Sequence, residues 1–120
     1  MLDKGWIEVG RLDDIPRRGA RRVNRPRAQV PIAIFRAGDD SVFALVDRCP
    51  HRAGPLSEGI VQSCAVACPL HGWVIDLRSG RAEAPDEGNV PTVPVRLVER
   101  RIFLSASALE AADAAVGETT

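Results

Sequence analysis

The 120 residues, 45% of them apolar, suffice for one small domain with a real core and leave no room for a second. Sixteen Lys and Arg balance sixteen Asp and Glu, which excludes a global pull toward nucleic acid or an anionic membrane surface. Two histidines, three cysteines and no tyrosine exclude a histidine-rich zinc enzyme site and a second metal centre beside a first.

Trp6–Val9 is the first strand-like run, and the residues before it lack the apolar core of a signal peptide. No run reaches the roughly 18–20 apolar residues of a membrane span, so the expectation is a cytoplasmic chain without membrane contact. In a reducing compartment, three cysteines read as metal ligands or buried thiols rather than a disulfide framework. Leu12–Pro16 is at most one helical turn, ended by Pro16. Six arginines then crowd Arg17 to Arg27 with no aromatic between them. This stretch is expected to be a solvated loop or a partner-facing ridge rather than a nucleic-acid patch.

Further strands are expected at Ala28–Phe35, Val42–Val46, Ile60–Gln62, Ala65–Ala67, Trp73–Leu77, Val93–Val98 and Arg101–Leu104. Turn chemistry separates them at Gly38-Asp39-Asp40, Arg78-Ser79-Gly80 and Glu99-Arg100. Many short, proline-punctuated strands predict an all-β sandwich or small barrel over residues 1–105. An alanine-rich tail, 106–120, follows. Within it Ser107–Val116 reads as a short helix with Ser105 or Ser107 as its cap, either docked on the body or frayed.

The residues that carry chemistry are Cys49-Pro50-His51 and Cys68-Pro69-Leu70-His71, a C-x-H and C-x-x-H pair. Each half follows a strand-like run, and a proline directly after each cysteine stiffens its loop. Two such loops can hold a centre between them. Thiolate and imidazole in equal number suit tetrahedral zinc or an iron–sulfur centre with mixed ligation. A Cys2His2 zinc knuckle stapling two hairpins is the bland alternative, although C-x-H is tighter than zinc-finger spacing. Cys64 is expected to be a small buried thiol on the strand before the second loop, with ligation as the less favoured reading.

The two loops resemble the ligand loops of Rieske 2Fe–2S proteins. Gly54-Pro55-Leu56, Gly72-Trp73 and the proline-bearing Ala84-Pro85-Asp86-Glu87-Gly88 extend the likeness, which covers Trp6 to Leu104. The resemblance implies an antiparallel β-sandwich with a small cluster-binding loop subdomain and a Rieske-type 2Fe–2S cluster. It also implies that Cys49 and Cys68 bind one iron and His51 and His71 the other. High-potential members join the two loops by a disulfide at the positions of Gly54 and Leu70, and they donate hydroxyl hydrogen bonds from a serine and a tyrosine. This chain has Trp73 after His71-Gly72 and no tyrosine, so a low potential is expected.

With both histidines committed, the chain has none left for the mononuclear iron of a Rieske oxygenase and no substrate site of its own. The stretches Asp47 to Gly59, Cys68 to Leu77 and Pro85 to Val95 are similar to small subunits of NAD(P)H-dependent nitrite reductase, from nitrate assimilation. That likeness implies a larger partner carrying flavin and sirohaem, which reduces nitrite to ammonium. A free-standing Rieske ferredoxin of an aromatic-ring dioxygenase is the alternative, as is a structural subunit with zinc or no metal. Arg48 and Arg52, flanking His51, are either partner-steering charges or ordinary solvated arginines.

Overall fold

The computed structural model describes residues 5–23, 31–49, 54–70, 72–83 and 88–118, with side chains as far as residue 112. Its strands are β1 (Trp6–Arg11), β2 (Gly19–Val23), β3 (Ile32–Arg36), β4 (Val42–Val46), β5 (Ile60–Gln62) and β6 (Ala65–Ala67). They continue with β7 (Val74–Asp76), β8 (Thr92–Val93), β9 (Val95–Val98) and β10 (Arg101–Ser105), followed by helix α1 (Ala106–Glu118). They form three open antiparallel sheets, ordered β1-β10-β9, β2-β3-β4-β8 and β5-β6-β7, and no closed barrel among the described residues. The small third sheet carries the second cysteine loop, and the end of β4 carries the first.

β3 is the centre of the base. All five residues are buried because the strand is covered on both faces, and Phe35 is fully enclosed. Its Arg36 is satisfied inside by donating from Nη1 to the carbonyls of Leu12 (3.2 Å) and Ile15 (2.7 Å) and from Nε to Asp40 Oδ1 (2.9 Å). Two carbonyls of the 3-10 turn Leu12–Asp14 and its flank thereby find a donor away from water. The expected turn over Gly38-Asp39-Asp40 joins β3 to β4, with Asp40 in the left-handed region (φ 70°).

Three expectations require correction. β2 lies inside the arginine-rich stretch that was expected to be a loop or ridge. It pairs with β3 from Gly19↔Arg36 to Val23↔Ile32, so its strand character comes from its neighbour rather than from an apolar alternation. The expected single strand Val93–Val98 is broken at Pro94. Val93 pairs with Ala44 in one sheet, whereas Val95 pairs with Leu104 in another, and proline marks the corner where the chain changes sheets. The strand expected over Trp73–Leu77 shortens to Val74–Asp76, because Trp73 lends its carbonyl to the cysteine loop and Leu77 enters the turn. Of the expected Ala28–Phe35 strand, residues 28–30 lie outside the described residues.

The tail helix is docked. Leu109 and Ala112 are buried in the common core, the Ala106 N–H donates to Gly5 O (2.7 Å), and Ser105 Oγ accepts the Ala108 N–H (3.3 Å) as the N-cap. No helix among the described residues is long and apolar enough to cross a membrane.

Three described arginines of the Arg17 to Arg27 stretch are held by acids. Arg17 pairs with Asp40, Arg21 with Asp14, and Arg22 with Asp47, while Arg25 and Arg27 lie outside the described residues. A nucleic-acid face needs cations free to meet phosphates, and three of these guanidiniums already have carboxylate partners.

Candidate metal centre

The first cysteine loop starts where β4 ends. Val46 and Asp47 stay tied to the base through N–H bonds to Pro91 O and Pro31 O, both 3.0 Å. The chain then leaves the sheet, and the Cys49 N–H reaches across the loop to Gly54 O at 2.8 Å. The second loop leaves β6 and closes on itself. The Cys68 N–H donates to Trp73 O (2.7 Å), and the Gly72 N–H returns to Cys68 O (3.0 Å). Gly72 adopts φ +74°, a conformation that glycine takes without the strain a side chain would add. The sequence places that glycine directly after His71.

The loops lie against each other at Gly54. A methyl group on Gly54 would stand 2.7 Å from Leu70 Cδ1 and 3.3 Å from Cys68 Sγ, so the absent side chain is what lets the two loops touch. The two positions at which the resemblance places a disulfide are thus in contact, and here a leucine side chain packs on bare backbone.

Cys49 and Cys68, 2% and 4% exposed, lie on the two facing loops. His51 and His71 lie outside the described residues, as do Arg52 and residues 84–87 of the proline-bearing loop; Arg48 is described and exposed. Two buried thiols on facing, main-chain-braced loops fit a metal centre that uses cysteine from each loop. No disulfide joins the described cysteines. Cys64, expected on the strand before the second loop and buried, sits instead in the turn between β5 and β6 and is only partly buried. The register Gln62↔Ala65 leaves only Ser63 and Cys64 to make that turn.

One element of the site was not anticipated. Asp47 is buried two residues before Cys49, where it accepts both the N–H and the hydroxyl of Ser57. The sequence signal is weak, since the pairing spans ten residues of loop.

A protein-family model described as the Rieske [2Fe-2S] domain matches residues 5–94. The chain belongs to the Rieske family. Its fold is accordingly the Rieske type, and a Rieske domain implies a Rieske-type 2Fe–2S cluster and one-electron transfer. The anthranilate 1,2-dioxygenase ferredoxin subunit of Burkholderia cepacia is 39% identical over 98 residues, spanning 81% of this chain and 88% of that protein. A chain from the solved complex of reduced oxygenase and oxidized ferredoxin in carbazole 1,9a-dioxygenase superposes with a TM-score of 0.75 at 28% identity. The match covers 87% of this Rieske chain and 95% of the other. A protein from Mycobacterium tuberculosis assigned as an NADH-dependent nitrite reductase small subunit superposes with a TM-score of 0.73 at 25% identity. Its match covers 83% of this chain and 93% of that one.

Proposed function

We propose that this Rieske chain is a one-electron carrier serving an oxygenase as its ferredoxin component, with Cys49 and Cys68 as ligands to one iron and His51 and His71 as ligands to the other. The observation that carries the choice of partner is the 39% identity, over 88% of its length, to a protein that is itself a dioxygenase ferredoxin subunit. When bound, the cluster supplies a single electron-accepting site that two neutral imidazoles make easier to reduce than an all-thiolate one. The chain's own residues shape its access and potential. Buried Cys49 and Cys68 keep water from the thiolates, and Leu70, half-exposed over Gly54, closes the seam between the loops. With no tyrosine in the chain and no cysteine at 54 or 70, the potential is expected near the low end of the Rieske range, about −150 mV.

The second reading is the small subunit of NAD(P)H-dependent nitrite reductase, with the flavin and sirohaem subunit as partner. It is favoured by the loop stretches noted above and by the likeness to the Mycobacterium tuberculosis protein. Both readings place the chain in the cytoplasm beside a larger redox protein.

Two measurements test this. The purified chain should be brown and should give a rhombic EPR signal when reduced with dithionite; a colourless protein with stoichiometric zinc overturns the cluster ligation. Purification from native cells then separates the partners. A partner with mononuclear iron supports the oxygenase reading, and one with sirohaem replaces it by the nitrite reductase reading.

A further inference from the structure

Asp47 and Arg36 are the charged side chains buried among the described residues, and only Arg36 is explained by the fold. A buried carboxylate costs several kcal/mol in lost hydration unless its oxygens are matched. Those of Asp47 are matched with care. Oδ1 accepts the Ser57 N–H at 2.7 Å, Oδ2 accepts the Ser57 hydroxyl at 2.6 Å, and Arg22 Nε stands 3.4 Å from Oδ2. The side chain of Asp47 is fully shielded, while that of Arg22 is 49% exposed, so the pair joins a buried anion to a cation at the rim.

The position of these contacts gives them a purpose. Asp47 begins the first ligand loop and Ser57 lies in the 3-10 turn Leu56–Glu58 that ends it. The segment between contains Cys49 and Gly54, themselves bonded across the loop. The carboxylate therefore fastens the two ends of the loop together, and Arg22 fastens that closure to β2. A loop closed in advance avoids the entropy loss of ordering it around a ligand.

We propose that Asp47 is a positioning residue for the metal centre, its carboxylate clasping Ser57 so that the two ends of the loop that contributes Cys49 are held together, with Arg22 anchoring the clasp. The inference rests on the ligand reading given above, because it needs the cluster to depend on this loop.

The experiment uses the full chain with its cluster. Asp47→Ala removes the charge and both clasp bonds, Ser57→Ala removes one of the two clasp bonds, and Ser57→Thr restores the hydroxyl. Loss of visible absorbance under excess chelator, the reduced EPR spectrum, the midpoint potential and the melting temperature are measured for each. Asp47→Ala should hold its cluster about 10–100-fold more weakly, read as faster loss, the usual scale for removing a group that orients a metal ligand. Ser57→Ala should move the same way by less, and Ser57→Thr should return to the wild-type rate. The double variant Asp47→Ala/Ser57→Ala should be no worse than Asp47→Ala alone, and Asp47→Ala should shift the potential upward through loss of a nearby negative charge.

Unchanged cluster loss and potential beside a lowered melting temperature overturn the proposal, as do effects of the two substitutions that simply add. Should Asp47→Ala fail to fold, the Ser57→Ala and Ser57→Thr rates decide alone. Failure of the ligand reading looks different: the wild-type protein itself lacks the rhombic signal, or Cys49→Ser leaves the spectrum unaltered.

Discussion

Replacing Gly54 by alanine places a methyl group 2.7 Å from Leu70 Cδ1, 2.9 Å from Leu70 Cγ and 3.3 Å from Cys68 Sγ. Carbon atoms prefer about 3.5–4.0 Å, so Leu70 must give way by about an ångström. It can, being 51% exposed, whereas Cys68 at 4% exposed cannot. Overpacking costs about 1–3 kcal/mol, and the freedom of Leu70 puts this case near about 1 kcal/mol. In a domain of this size that is a fall of about 4 °C in melting temperature. Displacing Leu70 also opens the seam above Cys68, so cluster bleaching should accelerate. The decisive assay is a double-mutant cycle on the cluster-loaded protein with Leu70→Ala. Removing the leucine removes the clash, so the double variant should be less destabilised than the sum by about 0.5–1 kcal/mol. Strict additivity, or a Gly54→Ala protein with the wild-type melting temperature and bleaching rate, refutes the packing argument.

Arg36→Ala deprives the carbonyls of Leu12 and Ile15 of their donor and should cost about 3 kcal/mol, read as a fall of roughly 10 °C in melting temperature. Glu99→Asn should stabilise by about 0.5–1 kcal/mol in the same assay, because Glu99 (φ 50°) and Arg100 (φ 65°) form a two-residue turn in which asparagine accepts positive φ more readily. Acid titration should reveal Asp40. Hydrogen bonds from Arg17 and then Arg36 lower its pKa below the ordinary 3.8, so the stability it contributes is present above that pH and is lost as pH falls through the folded-state value. Asp40→Asn should flatten the acid limb of the stability curve, and an unchanged limb counts against this pairing.

Elements built on a short apolar run were legible from the chain alone. β4, β5 and β6 fall where their apolar runs stand, and the turn at Glu99-Arg100 is where it was expected. β2 was not legible, because exposed Arg21 and Arg22 stand side by side and only pairing to β3 makes a strand of them. Pro94 was visible but not its meaning, since a proline inside an apolar run does not reveal that the strands on either side belong to different sheets. At the metal centre the cysteine spacing revealed which loops meet. It could not reveal Asp47 and Ser57, whose contact depends on the path the loop takes between them. Cys64 was misplaced for a related reason, as the turn consumes it only once the β5–β6 register is known.

The charge balance has a consequence for partner recognition. Arg17, Arg21, Arg22, Arg36, Arg100 and Arg101 all pair with carboxylates within the chain, and Asp13 and Glu8 take the last two. Most of these pairs are exposed, where each contributes little to stability. Their larger effect is on the field outside the molecule, because a paired arginine presents a dipole rather than a net charge, and a dipole's reach falls off faster. These six arginines are therefore poor sources of long-range steering. Arg48 differs in place, exposed beside Cys49 on the loop that braces the centre. Association with the electron-transfer partner should then weaken only modestly as salt rises, and a steep salt dependence would show instead that long-range steering dominates.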